Sequence, residues 1–252
     1  MRPYKKTLSQ RIGRLIKEVA DVLYPRYCCI CGRKLNSDTD NLCGVCFTNL
    51  PFTHFKGAKG NTVERLFWGV AEIERANALM YYDIDDRSRM LLYELKYNGH
   101  DDIGVQFGRI MAKDLEDTDF FEGIDCIVPV PLYHKKLKSR RYNQSERIGQ
   151  GVFEITGIPV ETKALIRIKD TPTQTKLTKE ERQENMAGAF KLVDTGRIAG
   201  KHVLLIDDVV TTNSTLLSCI EELKKAEGVK ISILTLALAG KHSKRPPHYS
   251  PV

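Results

Sequence analysis

The chain lacks what would place it in a membrane. No run of about 18 apolar residues occurs, so no membrane span is expected. The N-terminus has basic residues but no uninterrupted apolar stretch and no small-residue cleavage site, which argues against export and makes the cytoplasm the expected compartment. Neither G-x-x-x-x-G-K-[ST] nor G-x-G-x-x-G is present, so the common nucleotide-hydrolase and dinucleotide loops are not expected. No Ser-His or Cys-His nucleophile pattern stands out, and no internal repeat. Acids are missing from one stretch altogether. Between Asp125 and Glu146 there are none, while His134, Lys135, Lys136, Lys138, Arg140 and Arg141 lie there.

What is present suits a folded chain. Of 252 residues, 42% are apolar and 28% charged, enough for one large domain or a medium domain with a small one. The net charge of +7 favours anionic ligands or polyanions. The basic, Pro-rich segment 241–252 reads as a tail without fixed structure that can touch nucleic acid through phosphates.

Four of the seven cysteines form two C-x2-C pairs, Cys28/Cys31 and Cys43/Cys46, with eleven residues between the pairs. Two such turns supply a tetrahedral thiolate set, and four thiolates leave no open position. The expected ion is a structural zinc, since disulfides are the weaker alternative in a reducing compartment. Gly32 and Gly44 are expected at tight turns beside these ligands. Cys126 and Cys219 sit in apolar settings and read as core residues.

Residues 1–24 read as an amphipathic helix, with Leu8, Ile12, Leu15, Ile16, Val19, Val22 and Leu23 on one face. A four-cysteine ribbon follows over 25–52, and a larger domain over 66–240. In that domain 66–82 looks like two strands joined by a turn, and 85–97 and 102–117 like helices. Then 124–130 reads as a strand, followed by a basic loop and a helix near 143–156. The polar stretch 169–185 is a surface loop or a lid over a ligand. Residues 202–207 and 229–238 read as strands around a helix at 213–226. Strands alternating with helices imply an α/β fold, a parallel sheet with helices on both faces. Ligands then sit beyond the carboxyl ends of the strands.

One stretch carries the chemistry: HVLLIDDVVTTNST, residues 202–215. A loop from a strand into a helix N-terminus suits a phosphate, and Thr211, Thr212, Ser214 and Thr215 add hydroxyl donors. Asp207 and Asp208 do not suit that phosphate. They suit sugar hydroxyls, or a cation that accompanies the ligand. The stretch implies a phosphorylated sugar gripped at both ends.

The same stretch resembles the 5-phosphoribosyl 1-diphosphate (PRPP) motif of type I phosphoribosyltransferases. The resemblance gives Asp207 and Asp208 the ribose hydroxyls and the catalytic position. It gives Val209, Val210, Thr211, Thr212, Asn213, Ser214 and Thr215 the PRPP loop. Asn213 stands where the motif has glycine, and Asn tolerates a left-handed turn best among the others. The four-cysteine module, LKYNG (95–99), VPVPLYHKKLKSRRYNQSE (128–146) and the pattern Gln174, Arg182, Asn185 and Phe190 are together similar to the ComF/GntX family. This covers the chain from Cys28 to about Ala239. It implies a type I phosphoribosyltransferase-like fold with an N-terminal zinc ribbon. Lys96, Pro129, Val130, Pro131, Arg140, Arg141, Asn143 and Gln144 would form a basic pyrophosphate site, with Arg141 in place of a glycine. By the same resemblance, magnesium accompanies PRPP, and the partners include single-stranded DNA and a competence helicase or recombination protein. The implied role is DNA uptake or processing during natural transformation. The alternative is a metabolic transferase that passes ribose 5-phosphate from PRPP to a nitrogen acceptor with release of pyrophosphate. Whether the chain is an enzyme stays open at this point.

Overall fold

In the computed structural model of the protein, the described residues are 25–35, 41–82, 87–170, 186 and 188–239. The expected N-terminal helix, the segment from 171 to 185 and the basic tail lie outside them. The chain divides into two compact units, Met1–Leu50 and Pro51–Val252.

In the first unit an antiparallel bridge between Tyr27 and Lys34 closes the first C-x2-C turn. Gly32 takes φ +67° there, a conformation that favours glycine. The second pair begins a short helix, α1 (Gly44–Thr48). Gly44 therefore does not serve a left-handed turn. It is the first helical residue, behind Cys43 as N-cap.

The second unit is built on a four-stranded parallel sheet in the order β1-β6-β5-β2. Its strands are β1 (Ala76–Tyr81), β2 (Cys126–Pro129), β5 (His202–Val210) and β6 (Lys230–Leu238). Its central strands read as nearly continuous apolar runs because both faces are covered. Cys126 and Cys219 are buried in that core, as expected. A two-stranded antiparallel pair, β3 (Leu165–Arg167) and β4 (Phe190–Leu192), stands apart from the sheet.

Among the described residues, the helices of this unit include α2 (Thr62–Arg65), α3 (Arg87–Tyr97), α4 (Asp101–Asp114), α5 (His134–Arg140), α6 (Gln144–Thr156) and α7 (Ser214–Leu223). Helices α4 and α6 approach so closely that a methyl group on Gly108 would overlap the Ile148 carbonyl. One on Gly151 would overlap the Val105 carbonyl. This contact fixes the start of α6, which carries the site residues Gln144 and Ser145.

Three further sequence expectations are corrected. Residues 66–82 hold one strand, not two. Asn61 caps α2 by accepting from the N–H groups of Val63 and Glu64, and the chain then turns through Leu66–Val70 with Gly69 at φ +74°. The alternation there comes from a turn that buries Phe67 and exposes Trp68 and Val70. The basic segment after β2 is a helix, not a loop, and ends at Arg141 with φ +71°. Strand β5 runs three residues past its expected end, so Asp207 and Asp208 lie within it and Val209 and Val210 still pair with β6.

Candidate functional site

The two carboxylates lie near the carboxyl end of β5. The alternation of β5 sends neighbouring side chains to opposite faces, so Asp207 and Asp208 acquire different partners. Both residues are buried. Asp207 Oδ1 accepts from Ser145 Oγ at 3.1 Å and from the Asp208 N–H at 2.9 Å. Asp208 Oδ2 forms an ion pair with Lys96 Nζ at 2.8 Å, and Gln144 Nε2 stands 3.5 Å from it.

The environments drive the two groups apart. Burial, and then the Asp208 charge, push the Asp207 carboxyl well above the usual carboxylate range. Burial acts on Asp208 in the same sense, but the Lys96 ammonium outweighs it and holds that carboxyl below its ordinary value. Lys96 shows the reciprocal effect. Burial works against its charge, yet Asp208 raises its pKa. The pair thus behaves as one ionised carboxylate with a counter-ion and one carboxyl that resists ionisation.

A cleft of about 430 Å³ opens over these groups. Lys96, Val130, Arg140, Gln144, Asp207, Asp208, Val209 and Thr215, all singled out in the sequence, line it. Gln144 is buried, and its Oε1 has no hydrogen-bond partner. An unpaired acceptor in such a place points to a donor on a ligand.

A recess along the same strand end is lined by Asp207 and residues 209–216, which includes Val210, Thr211, Thr212, Asn213 and Ser214. Asn213 adopts φ +59° at the N-cap of α7. Its side chain does not cap the helix. It donates from Nδ2 to the Leu66 carbonyl at 2.5 Å and ties the loop to the turn before β1. Thr212 Oγ1 and Ser214 Oγ are 3.0 Å apart. A ten-residue helix therefore begins behind a hydroxyl-rich turn.

Other expected residues shape the site without lining the cleft. Asn143 is buried, caps α6 by accepting from the Ser145 N–H at 3.1 Å, and donates to the Val130 carbonyl at 3.0 Å. Pro129 ends β2, and Pro131 follows Val130 toward α5. Arg141, exposed, closes α5 in the left-handed conformation that the expected glycine would have taken. Tyr142 OH donates to the Leu95 carbonyl at 2.6 Å and fastens this segment to α3.

Sequence reading missed Ser145, Arg167, Tyr97, Ser139 and Leu132 as site residues and gave Lys136 no role in a cleft. Arg167 lies on β3 with its guanidinium 5.3 Å from the Phe190 ring centre. Burial lowers its pKa and that of Lys136. Ser145 follows directly on the Asn143-Gln144 pair, so its neighbours were the available signal. Nothing in the local pattern around Arg167 announced it.

In the smaller unit the Sγ atoms of Cys28, Cys31, Cys43 and Cys46 all lie within 4.8 Å of one another. Cys31 and Cys43 sulfurs are 3.7 Å apart. A tetrahedral zinc with sulfurs at about 2.3 Å would set them roughly 3.8 Å apart. The thiol set fits such an ion. Burial raises the Cys28 thiol, but backbone N–H groups of Cys43, Cys31 and Ile30 outweigh it and bring the pKa to about 6.

The profile of the phosphoribosyl transferase domain family matches residues 101–252. The chain belongs to the phosphoribosyl transferase domain family. Two relatives match more of the chain than this domain alone. Competence protein F of Haemophilus influenzae is 29% identical over 214 residues, 84% of this chain and 85% of that protein. DNA utilization protein YhgH of Escherichia coli (strain K12) is 27% identical over 192 residues, 75% of this chain and 80% of its own length. The ComF/GntX resemblance therefore holds, with a phosphoribosyl transferase domain preceded by a four-cysteine cluster. Among solved structures, the glutamine PRPP amidotransferase from B. subtilis has a TM-score of 0.36 at 19% identity. The match covers 56% of this chain and 30% of that one, so the chain spans under a third of that structure. Among the described residues no helix is long and apolar enough to cross a membrane.

Proposed function

We propose that the cleft binds PRPP together with magnesium, and that this phosphoribosyl transferase domain acts in DNA uptake or processing. The observation that carries the reading is the junction of β5 and α7. Two buried carboxylates with opposed ionisation stand beside a left-handed, hydroxyl-rich turn at a helix N-terminus. The turn suits the 5-phosphate. Asp207 and Asp208 suit the ribose hydroxyls or an ion held with them. Lys96, Lys136, Arg140 and Arg167 suit a pyrophosphate. Gln144 Oε1 offers an acceptor to a ligand hydroxyl. Magnesium, when bound, would offset pyrophosphate charge, with Asp207 and Asp208 the residues available to hold it.

A transfer at ribose C1 would run through an oxocarbenium-like state, with pyrophosphate leaving as a nitrogen nucleophile attacks. The residues present supply positioning and charge. That second reading, a metabolic transferase, is favoured by the cation set around the cleft. The role in DNA is favoured by relatives named for competence and DNA utilization, and by the basic helix α5. In the smaller unit, the four cysteines would hold a structural zinc.

One assay separates the readings. Zinc-loaded protein is incubated with PRPP, magnesium and a panel of nucleobases, ammonia and single-stranded DNA, and pyrophosphate is measured. PRPP retained without turnover, together with DNA retention, supports the DNA-handling role. Release that depends on one acceptor makes the chain a transferase. Failure to retain PRPP at all rejects both.

A further inference from the structure

Helix α3 has an outer face of which only Tyr97 reaches the proposed PRPP cleft. Met90, Tyr93 and Tyr97 follow at i, i+3 and i+7 and so share one side of the helix. Tyr93 is 55% exposed and Tyr97 58%, a large share for side chains of this size. Their ring centres are 5.0 Å apart, with the planes inclined by 42°. The Arg140 guanidinium lies 5.1 Å from the Tyr97 ring centre. Through that contact and the bond from Tyr142 to Leu95, α5 is held against the end of α3. Helix α5 brings exposed Lys135 and Lys138, and Arg141 follows it. The nearest acid on α3, Glu94, is partly buried and engaged with Asn98 and His100.

We propose that Tyr93 and Tyr97, with the cations of α5 beside them, form a stacking surface for the unpaired bases of single-stranded nucleic acid. Exposed rings next to Arg140, on whose helix Lys135 and Lys138 are also exposed, meet the two demands of such a ligand, flat faces for bases and positive charge for phosphates. An acidic protein partner would use the cations but leaves the ring pair unexplained. A duplex keeps its bases stacked internally and offers these rings nothing. Tyr97 also lines the cleft, so a strand lying on this surface passes its mouth. The proposal rests on the DNA-handling half of the functional reading, not on PRPP binding.

The test is fluorescence anisotropy of the full chain with a labelled oligothymidylate of about 20 nucleotides, longer than one such surface covers. It is repeated across a salt series. Tyr93→Leu, at a position that does not itself line the cleft, is expected to weaken binding roughly tenfold with an unchanged salt slope. Lys135→Gln with Lys138→Gln is expected to flatten the slope by about 1.4. Duplex of the same length should bind more weakly than the single strand. No binding by the unsubstituted protein would overturn both the DNA reading and this surface. Binding unaffected by Tyr93→Leu would overturn the surface alone. Light scattering that shows Tyr93→Leu breaking a dimer would make the face a contact between copies and also overturn the proposal. PRPP affinity, measured on the same variants, reports separately on the cleft.

Discussion

Two regions of this chain gather acidic groups into a small space and handle the charge in opposite ways. The cysteine cluster brings four thiols together and serves Cys28 with backbone N–H groups. Such a cluster suits a cation supplied from outside, which would hold the fold together. The β5 carboxylates carry their own cation. Lys96 sits on Asp208, while Asp207 is left in a setting that disfavours its charge. A group so arranged can exchange partners when a ligand arrives. The first region is built to stay closed and the second to be re-partnered.

The largest effect expected from breaking this contrast is on the cysteine side. Chelation of the metal, or Cys46→Ser, should unfold the smaller unit, seen as protease cleavage confined to residues before 51 and loss of bound zinc. The β5 site lies in the other unit, so PRPP binding should survive. Equal loss of both functions would erase the distinction.

Next comes Asp208→Asn. It removes the partner of Lys96 and a charged ligand contact together, and PRPP affinity should fall about 10- to 100-fold by titration. Asp208 ionises more readily when folded, so its stabilisation is present above the unfolded pKa and lost as pH falls through the folded one. The variant should therefore lose melting temperature most at neutral pH.

Asp207→Asn should do the reverse for stability. Because the folded pKa of Asp207 is raised, its ionisation costs stability as pH rises from the unfolded value toward the folded one. Asn should raise the melting temperature by a few degrees at pH 8, and the gain should vanish near pH 4. PRPP binding should still be lost. A site that gains stability as it loses its ligand is what stored, unfavourable charge predicts.

The smallest effect concerns Asn213. Asn213→Gly keeps the left-handed turn but drops the tie to Leu66, and should weaken PRPP binding a few-fold. Asn213→Ala strains the turn as well and should weaken it further.

Much of this was legible in the sequence because it is local. The strand-to-loop passage at 202–215 declares itself through apolar residues followed by acids and hydroxyls. The cysteine spacing declares the cluster. Asn213 was recognised as a residue able to replace glycine, but its bond to Leu66 reaches across 147 positions and no local pattern encodes it. The Lys96–Asp208 pair is hidden for the same reason. Lys96 also has an ordinary reading at a helix end before Gly99, which takes φ +76°. Helix α5 looks like a loop in the sequence because it is seven residues long, its N-cap makes no side-chain bond, and it ends on arginine where the resemblance has glycine. The 66–82 region misled because alternating exposure in a turn imitates a strand.

The most direct measurement is a calorimetric titration of the zinc-loaded full chain with PRPP in magnesium buffer, repeated on Asp208→Asn. The account predicts one site per chain, with affinity about 10- to 100-fold weaker in the variant while its melting curve stays cooperative. Binding of equal strength in both proteins would contradict it and would move the PRPP site away from the β5 carboxylates.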